Sequence, residues 1–157
     1  LFTGAIGQKA LLSEANLSDS NFDESIFKLA DFSNAILDGS TAQYAYFEGA
    51  NFRDASLIGV NFKGAILRGV SLVNANLKGA NLTGASLEGA NLEGANLAGT
   101  IFKDADLTLV DFKNAQNLTK AQIESSKTEI GMKNMPKYVY PQRQSWNERF
   151  TPPREVF

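Results

Sequence analysis

A repeat of five residues runs through most of this chain. From Leu12 to Phe112 every fifth residue is Leu or Phe, with Ala42 as the one exception among twenty-one positions. The residue two places before each of these central positions is always Ala, Ser, Val or Thr. Two places after the centre, ten of the thirteen glycines share one position in the repeat. The unit is therefore small, polar, Leu or Phe, polar, Gly, as in Ala80-Asn81-Leu82-Thr83-Gly84.

The period of five excludes both regular secondary structures. Residues five apart on an α-helix are rotated by about 140°, which would spread the Leu and Phe side chains around the whole surface. On a straight strand, residues five apart point to opposite sides. A short extended segment that ends in a glycine turn puts the small residue and the Leu or Phe on one side of the backbone. Repeated turns then direct every centre toward a common axis, which predicts an all-β solenoid of stacked coils.

The residue types that are missing exclude most enzyme chemistry. The 157 residues include no His and no Cys, so imidazole or thiolate metal sites, Ser-His and Cys-His hydrolases and disulfides are all ruled out. No phosphate loop with a Gly-Lys-Ser/Thr sequence is present. We therefore predict that the protein is not an enzyme and takes no cofactor and no metal.

Charge and hydropathy limit the partners further. The chain has 15 Lys and Arg residues against 17 Asp and Glu residues, and this balance gives no overall field that attracts nucleic acid. No apolar run approaches the roughly 20 residues that span a bilayer. We expect no nucleic-acid binding and no membrane insertion, which leaves an unidentified protein as the partner.

The repeat resembles a known family. Runs such as Ala75-Asn76-Leu77-Lys78-Gly79 and Ala90-Asn91-Leu92-Glu93-Gly94 are similar to the pentapeptide repeat proteins, whose motif is A-(N/D)-(L/F)-X-X. The resemblance covers residues 10–114, and the chain is similar to cyanobacterial and chloroplast thylakoid-lumen members. It implies a right-handed quadrilateral parallel β-helix, with four pentapeptides per coil and about five coils. A C-terminal capping helix is also expected from the resemblance.

The chain divides into four predicted segments. Phe2 is in register but Gly7 occupies a central position, so the first residues deviate from the repeat. After the repeat ends, Thr119 and Gln122 have the spacing of a capping box, and we predict a helix from about Lys120 to Ser126. The segments are an N-terminal cap or degenerate turn, the β-helix, the C-terminal capping helix and an extended aromatic tail, over residues 1–9, 10–114, 115–130 and 131–157.

Outward apolar side chains are the informative exceptions on such a solenoid. Ile26, Tyr46 and Ile66 each precede a centre by one residue and lie twenty residues apart, so coils of four units stack them on one outer face. Tyr44 and Leu29 lie near them. These five residues, here called the predicted strip, form either a partner-binding surface or a seam that the aromatic tail covers. The tail residues available for that contact are Tyr138, Tyr140, Trp146 and Phe150.

The sequence favours a non-catalytic protein-binding or scaffold module of unknown partner. The resemblance points to the chloroplast thylakoid lumen, with the bacterial periplasm or cytoplasm as alternatives. A second function is a DNA-mimic regulator of a topoisomerase, a role that some pentapeptide repeat proteins fill with a strongly acidic rod. Basic residues interrupt a continuous acidic face here, namely Arg53, Lys63, Arg68, Lys78, Lys103 and Lys113. An enzyme of unrecognised type is the third alternative.

Overall fold

The backbone forms a four-sided coil held together by parallel β-bridges. A computed structural model describes residues 1–128, 131–136 and 139 of the chain. Within these residues, bridges join each bridging residue to the one twenty positions later, from Ile6 with Ile26 to Asn96 with Gln116. A new bridge begins every five residues, so one coil contains twenty residues and four sides. The described residues contain no strand longer than a single bridging residue, and their one helix is α1, Lys120–Glu124.

The four sides of the coil, here called its faces, are numbered in chain order from the face that contains Leu12. Each side contributes one column of central residues to the interior. The columns are Leu12, Phe32, Phe52, Leu72, Leu92 and Phe112 on the first face; Leu17, Leu37, Leu57, Leu77 and Leu97 on the second; Phe2, Phe22, Ala42, Phe62, Leu82 and Phe102 on the third; and Gly7, Phe27, Phe47, Leu67, Leu87 and Leu107 on the fourth.

Every corner of the coil has the same backbone conformation. The residue two places after each centre has a positive φ at all positions from Gly4 to Asn114. The conformation is kept where the residue is not glycine, as at Leu29 with φ +58° and Tyr44 with φ +57°. Because a side chain disfavours this region by about 1 to 2 kcal/mol, these two apolar corners are held at a conformational cost.

Aromatic rings that contact one another fill the interior of the N-terminal coils. Phe2 stacks on Phe22 at a centroid distance of 4.6 Å. Ala42 breaks the third column, yet it is only 1% exposed. The ring of Phe47 on the neighbouring face lies 6.4 Å from that of Phe22 and 5.9 Å from that of Phe62. Phe47 therefore occupies the volume that a large side chain at position 42 would fill.

The first nine residues belong to the coil. Ile6 forms a bridge with Ile26, and the Gly7 N–H donates to the Ile26 carbonyl at 2.8 Å. A side chain at position 7 would collide with the ring of Phe27, so glycine at this centre leaves room for the aromatic ring of the next coil. Residues 1–9 therefore add two sides to the coil, one of them with an altered centre.

The C-terminal end of the coil is covered by α1. Thr119 is the N-cap, and its hydroxyl and the Gln122 side chain make both hydrogen bonds of a capping box. The Gln122 Nε2 group also donates to the carbonyls of Leu97 and Thr100, each at 2.8 Å. Ile123 is buried at 3% exposure against the core. The helix is thus fixed to the coil by both polar and apolar contacts.

Residues 131–136 continue this cover, although the sequence placed them in an extended tail. Lys133 forms a parallel bridge with Asp111, and its carbonyl accepts from the Phe112 N–H at 3.0 Å. Met132 is 2% exposed and Val139 is 5% exposed. Residues 131–136 therefore pair with the edge of the last coil. The tail residues Tyr138, Tyr140, Trp146 and Phe150 lie outside the described residues.

Candidate protein-binding surface

Four apolar side chains stand in one column on the fourth face. The apolar column consists of Ile6, Ile26, Tyr46 and Ile66, which are joined in succession by parallel bridges. Ile6 is 78% exposed and Tyr46 is 43% exposed, whereas Ile26 and Ile66 are half-buried. With strands about 4.8 Å apart, the column is about 14 Å long.

The backbone holds Tyr46 firmly in this column. Its N–H donates to the Ser25 carbonyl and its carbonyl accepts from the Phe27 N–H, both at 2.8 Å. The Lys28 Nζ lies 5.5 Å from the centre of the Tyr46 ring, within the range of a cation–π contact. The same ammonium pairs with Glu48 at 2.6 Å. The exposed ring is therefore positioned from beneath by the strand and from the side by a charge pair.

Tyr44 lies at the corner beside the column. It is 53% exposed, and its N–H donates to the Lys63 carbonyl at 3.0 Å. Its ring covers Gly64 in the next coil so closely that a Cβ on Gly64 would lie 2.6 Å from two ring atoms. The glycine twenty residues later thus provides the space in which the Tyr44 ring lies.

Leu29 is separated from the rest of the predicted strip. It lies at the opposite corner of the fourth face and covers Gly49, whose Cβ would come within 2.7 Å of a Leu29 methyl group. The column containing Lys28 and Glu48 lies between this corner and Tyr46. The structure therefore brings together Ile26, Tyr44, Tyr46 and Ile66, and it places Leu29 apart from them.

Ile6 extends the surface by one coil and was missed in the sequence. Its spacing of twenty residues from Ile26 could have identified it. The glycine at the central position 7, however, led to the exclusion of residues 1–9 from the predicted β-helix. At the C-terminal end of the column, Ile66 is followed by the polar residues Ser86 and Asp106. Burial raises the pKa of Asp106, but hydrogen bonds from Thr108 outweigh it, so the pKa lies below its usual value. An ionised carboxylate therefore marks the polar end of the surface.

Two further kinds of feature, a metal site and a membrane-spanning helix, bear on the function of the described residues. Among them, no group of acidic side chains is arranged to hold a metal ion. Likewise, no helix in the described part of the chain is long and apolar enough to cross a membrane. An open groove of about 800 Å³ lies near the C-terminal end, between residues 113–117 and 134–136. Its walls are mainly amide, ammonium and apolar groups, which form no acid-base pair.

Gly64 and Gly84 offer a matched test of the Tyr44 contact. Both have φ +66°, but a Cβ on Gly84 meets no atom within 4 Å, whereas one on Gly64 meets the Tyr44 ring. We expect Gly84→Ala to lower the free energy of unfolding by about 1 to 2 kcal/mol through backbone strain alone. Gly64→Ala is expected to lower it further, and denaturant unfolding measures both.

Repeating the pair with Tyr44→Gly isolates the contact. In that background the two alanine substitutions should have equal effects, because the ring is gone. An unchanged difference between them would show that Tyr44 does not pack on Gly64.

A coil of stacked parallel bridges with one outward apolar column defines a repeat solenoid that presents a rigid lateral surface. A family model described as pentapeptide repeats matches the sequence in eight copies, over residues 8–39, 35–73, 45–84, 75–114 and 90–127. The chain belongs to the pentapeptide repeat family, which confirms the resemblance seen in the motif. Membership implies the right-handed quadrilateral β-helix, in agreement with four bridges per twenty residues. Proteins of this family are generally structural or binding proteins without catalytic activity.

Solved structures of the same family resemble the chain. HetL, a pentapeptide repeat protein involved in heterocyst differentiation regulation from the cyanobacterium Nostoc sp. strain PCC 7120, is 27% identical with a TM-score of 0.52. That match covers 85% of this chain but only 61% of HetL. A pentapeptide repeat protein from the Arabidopsis thaliana thylakoid lumen is 30% identical, over 73% of this chain and 69% of that protein, with a TM-score of 0.38. No curated protein matches the sequence.

Proposed function

We propose that this chain is a non-catalytic protein-binding module whose contact surface is the apolar column together with Tyr44. The observation that carries the proposal is the pair of neighbouring tyrosines, Tyr44 at 53% and Tyr46 at 43% exposure, on a rigid frame. Tyrosine is enriched at protein interfaces because its ring supplies large contact area with few rotatable bonds. The partner's own contact surface is expected to be apolar and about as long as the column.

The backbone at Tyr44 supports this proposal. A φ of +57° disfavours tyrosine relative to glycine, and the half-exposed ring recovers little burial within the chain. Contact with a partner would bury the remaining half of the ring. Residues that fit the fold poorly but suit a contact are typical of functional surfaces.

We also propose a location in the thylakoid lumen. The support is the similarity to the lumenal protein of Arabidopsis thaliana, at 30% identity over 73% of this chain. The bacterial relatives keep the periplasm and the cytoplasm as the alternatives.

Regulation of a topoisomerase by DNA mimicry has weaker support. Residues 1–60 carry eight Asp and Glu against three Lys and Arg, but residues 61–128 carry six against seven. The acidic character is therefore confined to the first half of the coil. A DNA mimic needs negative charge along its whole length.

Capture of partners from a lumenal extract tests the proposal with a matched pair of variants. Tyr46→Ser changes the apolar column, whereas Ile101→Ser changes a side chain of similar exposure, 46%, at the same repeat position on the third face. We expect Tyr46→Ser to lower partner recovery about tenfold or more, because interface aromatics are often hot spots. Ile101→Ser should recover as much partner as the unchanged chain, as measured by quantitative mass spectrometry.

The stability of both variants is the control. Each replaces an exposed side chain, so each should change the free energy of unfolding by less than about 1 kcal/mol. Equal recovery by the two variants would show that the column is not the contact surface.

A further inference from the structure

The second face carries an aspartate one coil below its middle coil and a lysine one coil above it. One outward column on this face contains Asp38, Ile58 and Lys78, each twenty residues from the next. Backbone hydrogen bonds confirm the stacking, since the Gly39 N–H donates to the Ile58 carbonyl and the Gly59 N–H to the Lys78 carbonyl, both at 2.9 Å. The aspartate therefore lies one coil below Ile58 and the lysine one coil above it.

Both charged groups are available for an external contact. One carboxylate oxygen of Asp38 accepts from the Ser56 hydroxyl at 2.6 Å and from the Ile58 N–H at 3.0 Å, which fixes the carboxylate against the face. Its other oxygen makes no hydrogen bond within the described residues. Lys78 is exposed and forms no ion pair with any described residue. The two charges are about 10 Å apart along the column, since they are separated by two coils.

This arrangement is complementary to itself. A two-fold axis that lies in the plane of the contact, at the height of Ile58 and perpendicular to the coil axis, turns a second copy antiparallel to the first. The operation places Ile58 against Ile58, Asp38 against Lys78 of the second copy, and Lys78 against Asp38 of the second copy. One axis therefore satisfies both charge pairs and joins two apolar side chains at its centre.

The shape of the face also permits close approach. Ile36 and Ile58 are 42% and 38% exposed and supply apolar contact near the axis. The corner column begins with Asp19 in the first coil, and above it this column consists of glycines with positive φ, namely Gly39, Gly59, Gly79 and Gly99. Two such faces can meet without bulky side chains between them.

We propose that the chain forms an antiparallel two-fold dimer with a second copy of itself through the second face. The contact spans about five coils, or about 24 Å, and one short side of the coil, so it is smaller than a standard stable interface. The dimer is therefore weak and depends on concentration and on salt. The fourth face lies on the opposite side of the coil, so the dimer presents its two apolar columns outward in opposite directions.

The third face supplies a matched control. Asp23, Gln43 and Lys63 repeat the same order of charges one face away, but an amide side chain replaces the central isoleucine. The proposal therefore assigns the contact to the second face and gives the third face no part in it.

Analytical ultracentrifugation of charge-reversal variants tests the proposal. The full chain is expected to dimerise reversibly as its concentration rises, and added salt is expected to weaken the dimer. Asp38→Lys and Lys78→Asp, each alone, should weaken self-association about tenfold or more, because each places like charges together twice. An equimolar mixture of these two variants should restore association, since both heterodimer pairs are again of opposite charge. Circular dichroism and denaturant unfolding confirm that each variant is folded.

The controls decide between the faces. Asp23→Lys and Lys63→Asp should leave self-association unchanged within about twofold. A chain that stays monomeric up to about millimolar concentration would overturn the proposal, as would second-face variants that dimerise normally. Mixtures that fail to restore association, or loss of the dimer in the third-face variants, would overturn it as well.

Discussion

Replacing Phe47 with alanine is expected to lower the free energy of unfolding by about 4 to 5 kcal/mol, at the upper end of the range for a buried phenylalanine. The ring is fully buried and contacts the rings of Phe22, Phe52 and Phe62. It also fills the space left by Ala42, so its removal joins two missing volumes into one cavity. Equilibrium unfolding in denaturant gives the loss as a shift of the midpoint.

The preceding residue provides the control for this substitution. Tyr46 is an aromatic residue of similar size on the same side of the coil, but its side chain points outward and is 43% exposed. Tyr46→Ala is expected to cost less than about 1 kcal/mol. Equal losses from the two variants would contradict the assignment of inward and outward positions. A large loss at Tyr46 alone would make the apolar column a packing seam.

Gln122→Ala is expected to lower the free energy of unfolding by about 2 kcal/mol. The side chain makes three hydrogen bonds. Its Nε2 joins α1 to the coil by donating to the carbonyls of Leu97 and Thr100, and its Oε1 caps the helix by accepting from the Thr119 N–H at 2.7 Å. Alanine leaves both carbonyls and the cap N–H without these partners. Thermal denaturation and hydrogen exchange at the Ile123 amide report the loss.

Glutamate at the same position separates capping from docking. Gln122→Glu keeps an oxygen that accepts from the Thr119 N–H, but it removes both donors and places a carboxylate against two carbonyl oxygens. We expect it to destabilise the protein at least as much as alanine does. Wild-type stability in the glutamate variant would show that the capping box alone matters.

Much of the coil was predictable because the residues of its interior recur at a fixed spacing in the sequence. The period of five assigns the central residues from Leu12 to Phe112 to four columns. These residues are buried from Phe22 onward, and only Leu12 and Leu17 in the first coil are partly exposed. The capping box at Thr119 and Gln122 was also readable, since it depends on residues three apart. Local and periodic signals were therefore sufficient for this part of the fold.

The ends were harder to predict because their contacts have no period. Lys133 pairs with Asp111 across more than twenty residues that contain α1, and no repeat marks that pairing. At the other end, Gly7 breaks the pattern although the backbone continues, because the Phe27 ring takes the space of the missing side chain. The sequence alone could not show whether the repeat ends at Gly7 or continues with a neighbouring side chain in the place of the missing one.

The candidate surface was partly predictable for the same reason. Ile26, Tyr46 and Ile66 were found by their spacing of twenty, whereas Leu29 lies at the opposite corner of the fourth face, with the ion pair between Lys28 and Glu48 separating it from Tyr46. The corner conformation of Tyr44 was not evident, since glycine occupies most equivalent positions. Its signal in the sequence is Gly64, twenty residues later, which makes room for the ring.

Partner capture by a chain that ends at Val139 tests the central claim most directly. This chain keeps the pairing of Lys133 and the buried Val139 but lacks residues 140–157, so it removes most of the aromatic tail and leaves the described cover of the last coil. If the apolar column is the contact surface, the shortened chain recovers the same partner as the full chain, and Tyr46→Ser in either chain lowers recovery about tenfold or more. Loss of the partner on shortening, with full recovery by Tyr46→Ser in the complete chain, would contradict the claim and assign the contact to the tail.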